Sequence, residues 1–138
     1  ALKRAIELNP NNSEALNYLG YLIIDGDKKP TKEDLKIARE YIERAVNLQP
    51  TNGYYLDSLG WLNYIDGKLQ VAKINLEEAV KYVSNDVVIL EHLAKVYLDL
   101  GQAKDAKIII ELALKNFESN NDSVIKERLE KLLQEALK

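Results

Sequence analysis

The sequence predicts an all-α array of antiparallel helix pairs, ended by a capping helix. Three observations carry this. Leu-Gly or Leu-Ala pairs recur at Leu19-Gly20, Leu59-Gly60 and Leu93-Ala94, the last two 34 residues apart. Each is followed by two alanines seven residues apart, Ala38 and Ala45, Ala72 and Ala79, Ala106 and Ala113, with Ile42, Leu76 or Ile110 between them. The other apolar residues fall at helical spacing. A period in this range marks a helical unit that cannot bury its apolar face alone and stacks on its copies.

The elements follow in order. Residues 1–12, with Ala5 and Pro10, match the second helix of a unit whose first helix is missing, so the chain reads as a piece of a longer array. The first full unit is 13–52, with Leu16 four residues before Gly20 and Ile23 three after. Its middle is lengthened: Gly20 to Ala38 spans 18 residues, where Gly60 to Ala72 spans 12. The extra residues lie in Asp25–Pro30, where Pro30 breaks helix continuity. Thr31 with Asp34 three residues on has the spacing of a capping box. The insertion reads either as a tolerated loop, since added loop length costs little, or as a partner contact.

Units two and three, 53–86 and 87–120, turn at Asp66-Gly67 and Leu100-Gly101, where glycine takes positive φ at a helix end without a Cβ clash. Residues 121–138 form the capping helix, with Asp122 or Ser123 as its cap. Its apolar stripe is Ile125, Leu129, Leu132, Leu133, Ala136 and Leu137. Lys126, Glu127, Glu130, Lys131, Gln134 and Lys138 form its polar face, the arrangement a terminal repeat requires.

Composition narrows the function. The 138 residues are 46% apolar and 30% charged, a globular composition. Nineteen basic residues against 22 acidic ones, net charge −3, argue against nucleic-acid binding. There is no Cys and one His, so metal sites built on those ligands are not expected. No run of about 18 apolar residues suggests membrane insertion. His92, beside Glu91, has no Ser or Cys aligned with it as a nucleophile and reads as a surface or inter-helix hydrogen-bonding residue. No phosphate loop, dinucleotide fingerprint or calcium loop is present. The expectation is a protein without catalysis or cofactor.

These residues resemble the tetratricopeptide repeat, whose pattern is W-x2-L-G-x2-Y, then A-x3-F, then P over 34 residues. The resemblance covers the whole chain. It departs where Leu16, Leu56 and Leu90 replace the first aromatic, where Asn63 replaces the Tyr, and where unit three lacks its Pro. It implies a right-handed α-solenoid and a scaffold or adaptor for protein–protein interaction.

In this family a second stripe of each first helix, at spacing i, i+3, i+7, i+10, lines a concave groove for partners. Carried over by position, it comprises Glu14, Asn17, Tyr21 and Ile24; Tyr54, Asp57, Trp61 and Tyr64; and Val88, Glu91, Lys95 and Leu98. Asp25, Ile65 and Asp99 adjoin it. Four of these residues are aromatic, and five acids against Lys95 alone leave a net −4. Such a surface suits a peptide with apolar anchors and Lys or Arg. The alternative is that Trp61 and the tyrosines pack between helices. Chaperone adaptors of the family grip a C-terminal carboxylate, but the matching positions here hold Asn17 and Tyr21, Ser58, and Val88 and His92, so that clamp is absent.

The order of units also resembles the C-terminal part of bacterial envelope lipoprotein adaptors, which implies a bacterial, periplasmic portion. Self-association, through the apolar surface left at the N-terminal end, is the rival expectation to a groove that binds another protein.

Overall fold

The computed structural model describes residues 2–117 and 123–138; Asp122, one of the two expected caps, lies outside them. Among the described residues there are eight helices and no strand: α1 Leu2–Leu8, α2 Ser13–Ile24, α3 Lys32–Leu48, α4 Gly53–Ile65, α5 Leu69–Tyr82, α6 Val87–Asp99, α7 Ala103–Asn116 and α8 Ser123–Ala136. None is long and apolar enough to cross a membrane. Helices α2 and α3, α4 and α5, and α6 and α7 pack as pairs, with α1 against α2 and α8 against both α7 and α6.

Each first helix begins at an Asx cap. Asn12 accepts from the Ala15 amide, Asn52 from those of Tyr54 and Tyr55, and Asp86 from those of Val88 and Ile89. These caps satisfy amides that have no partner inside the helix. At Thr31 the capping box forms in full: the hydroxyl accepts from the Asp34 amide at 3.0 Å, and the Asp34 carboxylate accepts from the Thr31 amide at 2.9 Å. Those hydrogen bonds hold the Asp34 carboxyl below its ordinary pKa of 3.8.

The two short turns end their helices alike. Gly67 and Gly101 have φ of 80° and 77°. The amides of Lys68 and Gln102, one residue on, reach back to Asn63 O and Tyr97 O at 2.8 Å. This is the six-to-one bond of a Schellman ending.

The small residues set how closely each pair approaches. Ala38, Ala45, Ala72, Ala79, Ala106 and Ala113 are fully buried, as are Ile42, Leu76 and Ile110. A Cβ on Gly20 would lie 2.6 Å from Ile42 Cγ1, and one on Gly60 would lie 2.6 Å from Leu76 Cγ. At that separation the larger residue packs on bare backbone. The largest apolar cluster runs from Ala72 and Leu76 through Leu90, Leu93 and Ile110 to Leu129 and Leu132 of α8, so the last helix shares the core of unit three. The expected stripe of α8 is realised with Leu129 and Leu132 buried and Ile125, Leu133 and Ala136 partly buried. Leu137 stays exposed.

Three outcomes follow in solution. Gly60→Ala drives a Cβ into a branch carbon of Leu76 and destabilises by about 1–3 kcal/mol in urea unfolding. Gly67→Ala meets no atom within 4 Å but forces a side chain into the left-handed region, at about 1–2 kcal/mol. The Asp34 carboxyl titrates below 3.8 by NMR. Because its folded value is the lower one, the stability it contributes is present above 3.8 and is lost as pH falls through the folded value.

Candidate functional site

The first helices α2, α4 and α6, with α8 as a fourth, form a continuous face. Trp61 of α4 lies at its centre. Its ring stacks on Tyr64 of the same helix (centroids 4.8 Å, 17°) and on His92 of α6 (4.0 Å, 18°). The Lys95 ammonium sits 5.4 Å from the indole centroid, within the range of a cation–π contact. Trp61 thus packs between helices, as the alternative reading expects, and stays partly exposed.

Polar side chains join each first helix to the next. Asp57 Oδ1 on α4 meets His92 Nδ1 on α6 at 2.8 Å, both residues being buried. The Tyr64 hydroxyl donates to Asp99 Oδ2 at 2.7 Å. Glu91, buried on α6, accepts two bonds from Arg128 of α8, from Nε at 2.8 Å and Nη2 at 3.0 Å. The paired geometry is the strong form of this interaction. At the seam between α2 and α4 the bridge is neutral: the Ser13 and Tyr55 hydroxyls share a hydrogen bond at 3.1 Å, and among the described residues no charged pair joins these two helices. Ser58 donates back to Tyr54 O at 3.2 Å. Asn17 Oδ1 is buried without a hydrogen bond, an arrangement that costs about 1–3 kcal/mol.

Of the fifteen residues expected on or beside the groove, ten, Val88 among them, lie on two clefts of about 260 Å³ each. Asn17, Tyr21, Tyr54 and Asp57 share one with Tyr18, Ser58, Asp86, Val88 and Ile89. Trp61, Tyr64, Lys95, Leu98 and Asp99 share the other with Leu132 and Glu135 of α8.

Two expectations need correction. Ile24 is 3% exposed and packs with Ala38, Ile42 and Leu62, so it belongs to the core of unit one. Glu91 is 3% exposed and lines neither cleft. Asp57 is likewise buried, and both carboxylates are engaged by a base of the next helix, so the groove is less acidic than its residue count implies. Glu14 and Asp25 are exposed at the margin, and Ile65 packs inward. Arg128, Tyr18 and the α8 residues were not in the expected set. Treating 121–138 as one more first helix, and not only as a cap, would have included Arg128.

The field within the face is recorded by its phenols. Tyr21 is pushed up to about 12 by burial, then by the charges of Asp25, Asp57 and Glu91. Tyr64 is pushed up to about 12 by burial, then by its bond to Asp99. On the inner side, Tyr97 is also raised, by burial and then by its 2.6 Å bond to Glu77.

Known proteins share both the pattern and the fold. Residues 1–34 and residues 88–120 each match a family model described as tetratricopeptide repeat. The chain belongs to the tetratricopeptide-repeat family. A TPR repeat-containing protein of Pseudomonas aeruginosa, PA4667, is 38% identical over 87 residues, 62% of this chain and 14% of that protein. The chain therefore spans a small part of that relative. Among solved structures, the TPR protein TTC0263 of Thermus thermophilus superposes with a TM-score of 0.80 at 19% identity, covering 96% of this chain and 70% of that one. MamA superposes with a TM-score of 0.66 at 22% identity, covering 99% and 83%. Tetratricopeptide repeats are in general protein–protein interaction modules, most of them without catalysis, and this chain has their helix-pair solenoid fold.

A tyrosine titration tests the field. With Tyr21 and Tyr64 raised to about 12, Tyr21→Phe removes ultraviolet absorbance change near pH 12 and none near pH 10. Since the folded values are the higher ones, both contribute stability below pH 10 that is lost as pH rises toward 12.

Proposed function

We propose that this protein is a scaffold whose first-helix face takes a segment of another protein bearing apolar and basic side chains. The observation that carries the reading is the row His92–Trp61–Tyr64, an aromatic platform held by stacking across two helices with a cation already over it. An aromatic face that accommodates Lys95 suits a Lys or Arg from a partner. The platform is fixed by core packing beneath it, so a partner binds without the groove losing much conformational freedom. Asp99, Asp25 and Glu14 remain exposed on or beside the face and disfavour acidic segments.

Trp61 is the only tryptophan in the chain, which makes its fluorescence a specific reporter. Titration with capped peptides carrying Leu and Arg or Lys shifts its emission saturably; peptides with Glu in place of the basic residues do not. Equal shifts with both sets, or no shift with either, rule the reading out.

A second reading rests on a different face. Ile74 of α5 and Ile108 of α7 occupy the same position in consecutive units and are 60% and 64% exposed, with Val71 and Leu112 one turn away at 47% and 37%. An apolar strip of this kind favours association between copies. If it acts so, sedimentation velocity shows a mass that rises with concentration and returns to the monomer in Ile74→Glu/Ile108→Glu.

A further inference from the structure

The face carries three seams between neighbouring first helices, and they are not equivalent. At α4–α6 the chain supplies its own base to Asp57, and Lys95 covers the indole. At α6–α8 Arg128 occupies Glu91. At α2–α4 no basic side chain lines the cleft. That cleft of about 260 Å³ has Tyr21 and Tyr54 in its walls, Asp57 and Asp86 among its lining residues, and Asn17 beside them. It is smaller than the roughly 300–1,000 Å³ of small-molecule pockets and accommodates a single side chain.

Three independent features define what fits. Asn17 Oδ1 is buried beside the cleft and lacks a donor, so a turn of its carboxamide brings an acceptor to an entering group. The Tyr21 phenol is pushed up to about 12 by burial first and then by Asp25, Asp57 and Glu91, so the acids beside the cleft outweigh the bases there. The aromatic walls favour a flat, weakly hydrated cation over a compact, strongly hydrated one.

We propose that the α2–α4 cleft is an arginine subsite: a guanidinium from the partner segment enters beside Asn17 and stacks on a tyrosine face. It does for the first seam what His92 and Arg128 do for the next two. The proposal rests on the groove reading above and adds to it a position and a choice of side chain.

The test uses four capped peptides, Leu-Ala-X-Ala-Leu with X as Arg, Lys, citrulline or Glu, followed by ¹H–¹⁵N NMR of the full chain. The Arg peptide is expected to shift the Asn17 side-chain amide and the backbone amides of Asn17, Tyr21 and Tyr54. Citrulline, which keeps the shape and loses the charge, binds about tenfold more weakly or worse, as expected for loss of charge-assisted hydrogen bonds. Asn17→Lys, checked for folding by circular dichroism, places a cation in the cleft and abolishes the Arg shifts; Asn17→Asp strengthens them. If the Arg peptide shifts only Trp61, Lys95 and their neighbours, the arginine subsite is overturned and the groove reading stands. If no peptide shifts either region, both fall. Equal affinity for Arg and Lys overturns the choice of guanidinium.

Discussion

Within each pair the two helices approach until a large aliphatic side chain rests on backbone. Ile42 meets Gly20 and Leu76 meets Gly60, each at a distance that leaves no room for a Cβ. Ile110 is buried at the corresponding place in unit three, where Ala94 stands. Interiors packed to this density transmit position faithfully. Once the distance within a pair is set, the first helices of successive units are set relative to one another. The stacking of Trp61 on His92 at 4.0 Å is a consequence. An interaction that never touches the face therefore determines its geometry.

The face adds a second layer of order. Asp57 with His92, Tyr64 with Asp99, and Glu91 with Arg128 join a residue of one first helix to one near the same level of the next. Burying a carboxylate is costly unless it is paired and hydrogen-bonded, and here each buried acid finds a base on the adjoining helix. Asn63 is a related case on the inner side. At the position of the family's tyrosine it is 3% exposed, accepts from Arg39 at 2.9 Å and donates to Asn75 at 2.7 Å. Arg39 also reaches Asp66 at 3.1 Å. The departure from the pattern is thus compensated by three neighbouring polar residues. In unit three Tyr97 restores the aromatic and bonds Glu77 instead.

The fold was legible because its determinants are local and periodic. Paired alanines, Leu-Gly steps and turn glycines each have a direct geometric meaning, and Gly67 and Gly101 have the positive φ they require. The face was legible in the placement of its residues and not in their pairing. Spacing assigns a residue to a face but not to a partner, so the acids were counted as free when two of them are bound. It also drifts: ten residues at 3.6 per turn end roughly 80° from where they began. Ile24, at the last position of its stripe, is turned into the core for that reason, whereas Tyr64 at the same position is long enough to bring its hydroxyl back to Asp99.

Helix α8 is where the two layers meet. Leu129 and Leu132 close the core of unit three, and Arg128, on the adjacent part of the helix, closes the polar ladder at Glu91. The equivalent places along the face then run Asn17 and Ser58, Asp57 and His92, Glu91 and Arg128. Charge and reach increase toward α8, and with them the degree to which the chain satisfies itself. At the last seam a buried acid is bound at both oxygens by an arginine of the chain; at the first, an acceptor is left unbound and the cleft is open. The unbound acceptor of the face therefore lies at the α2–α4 end, opposite α8.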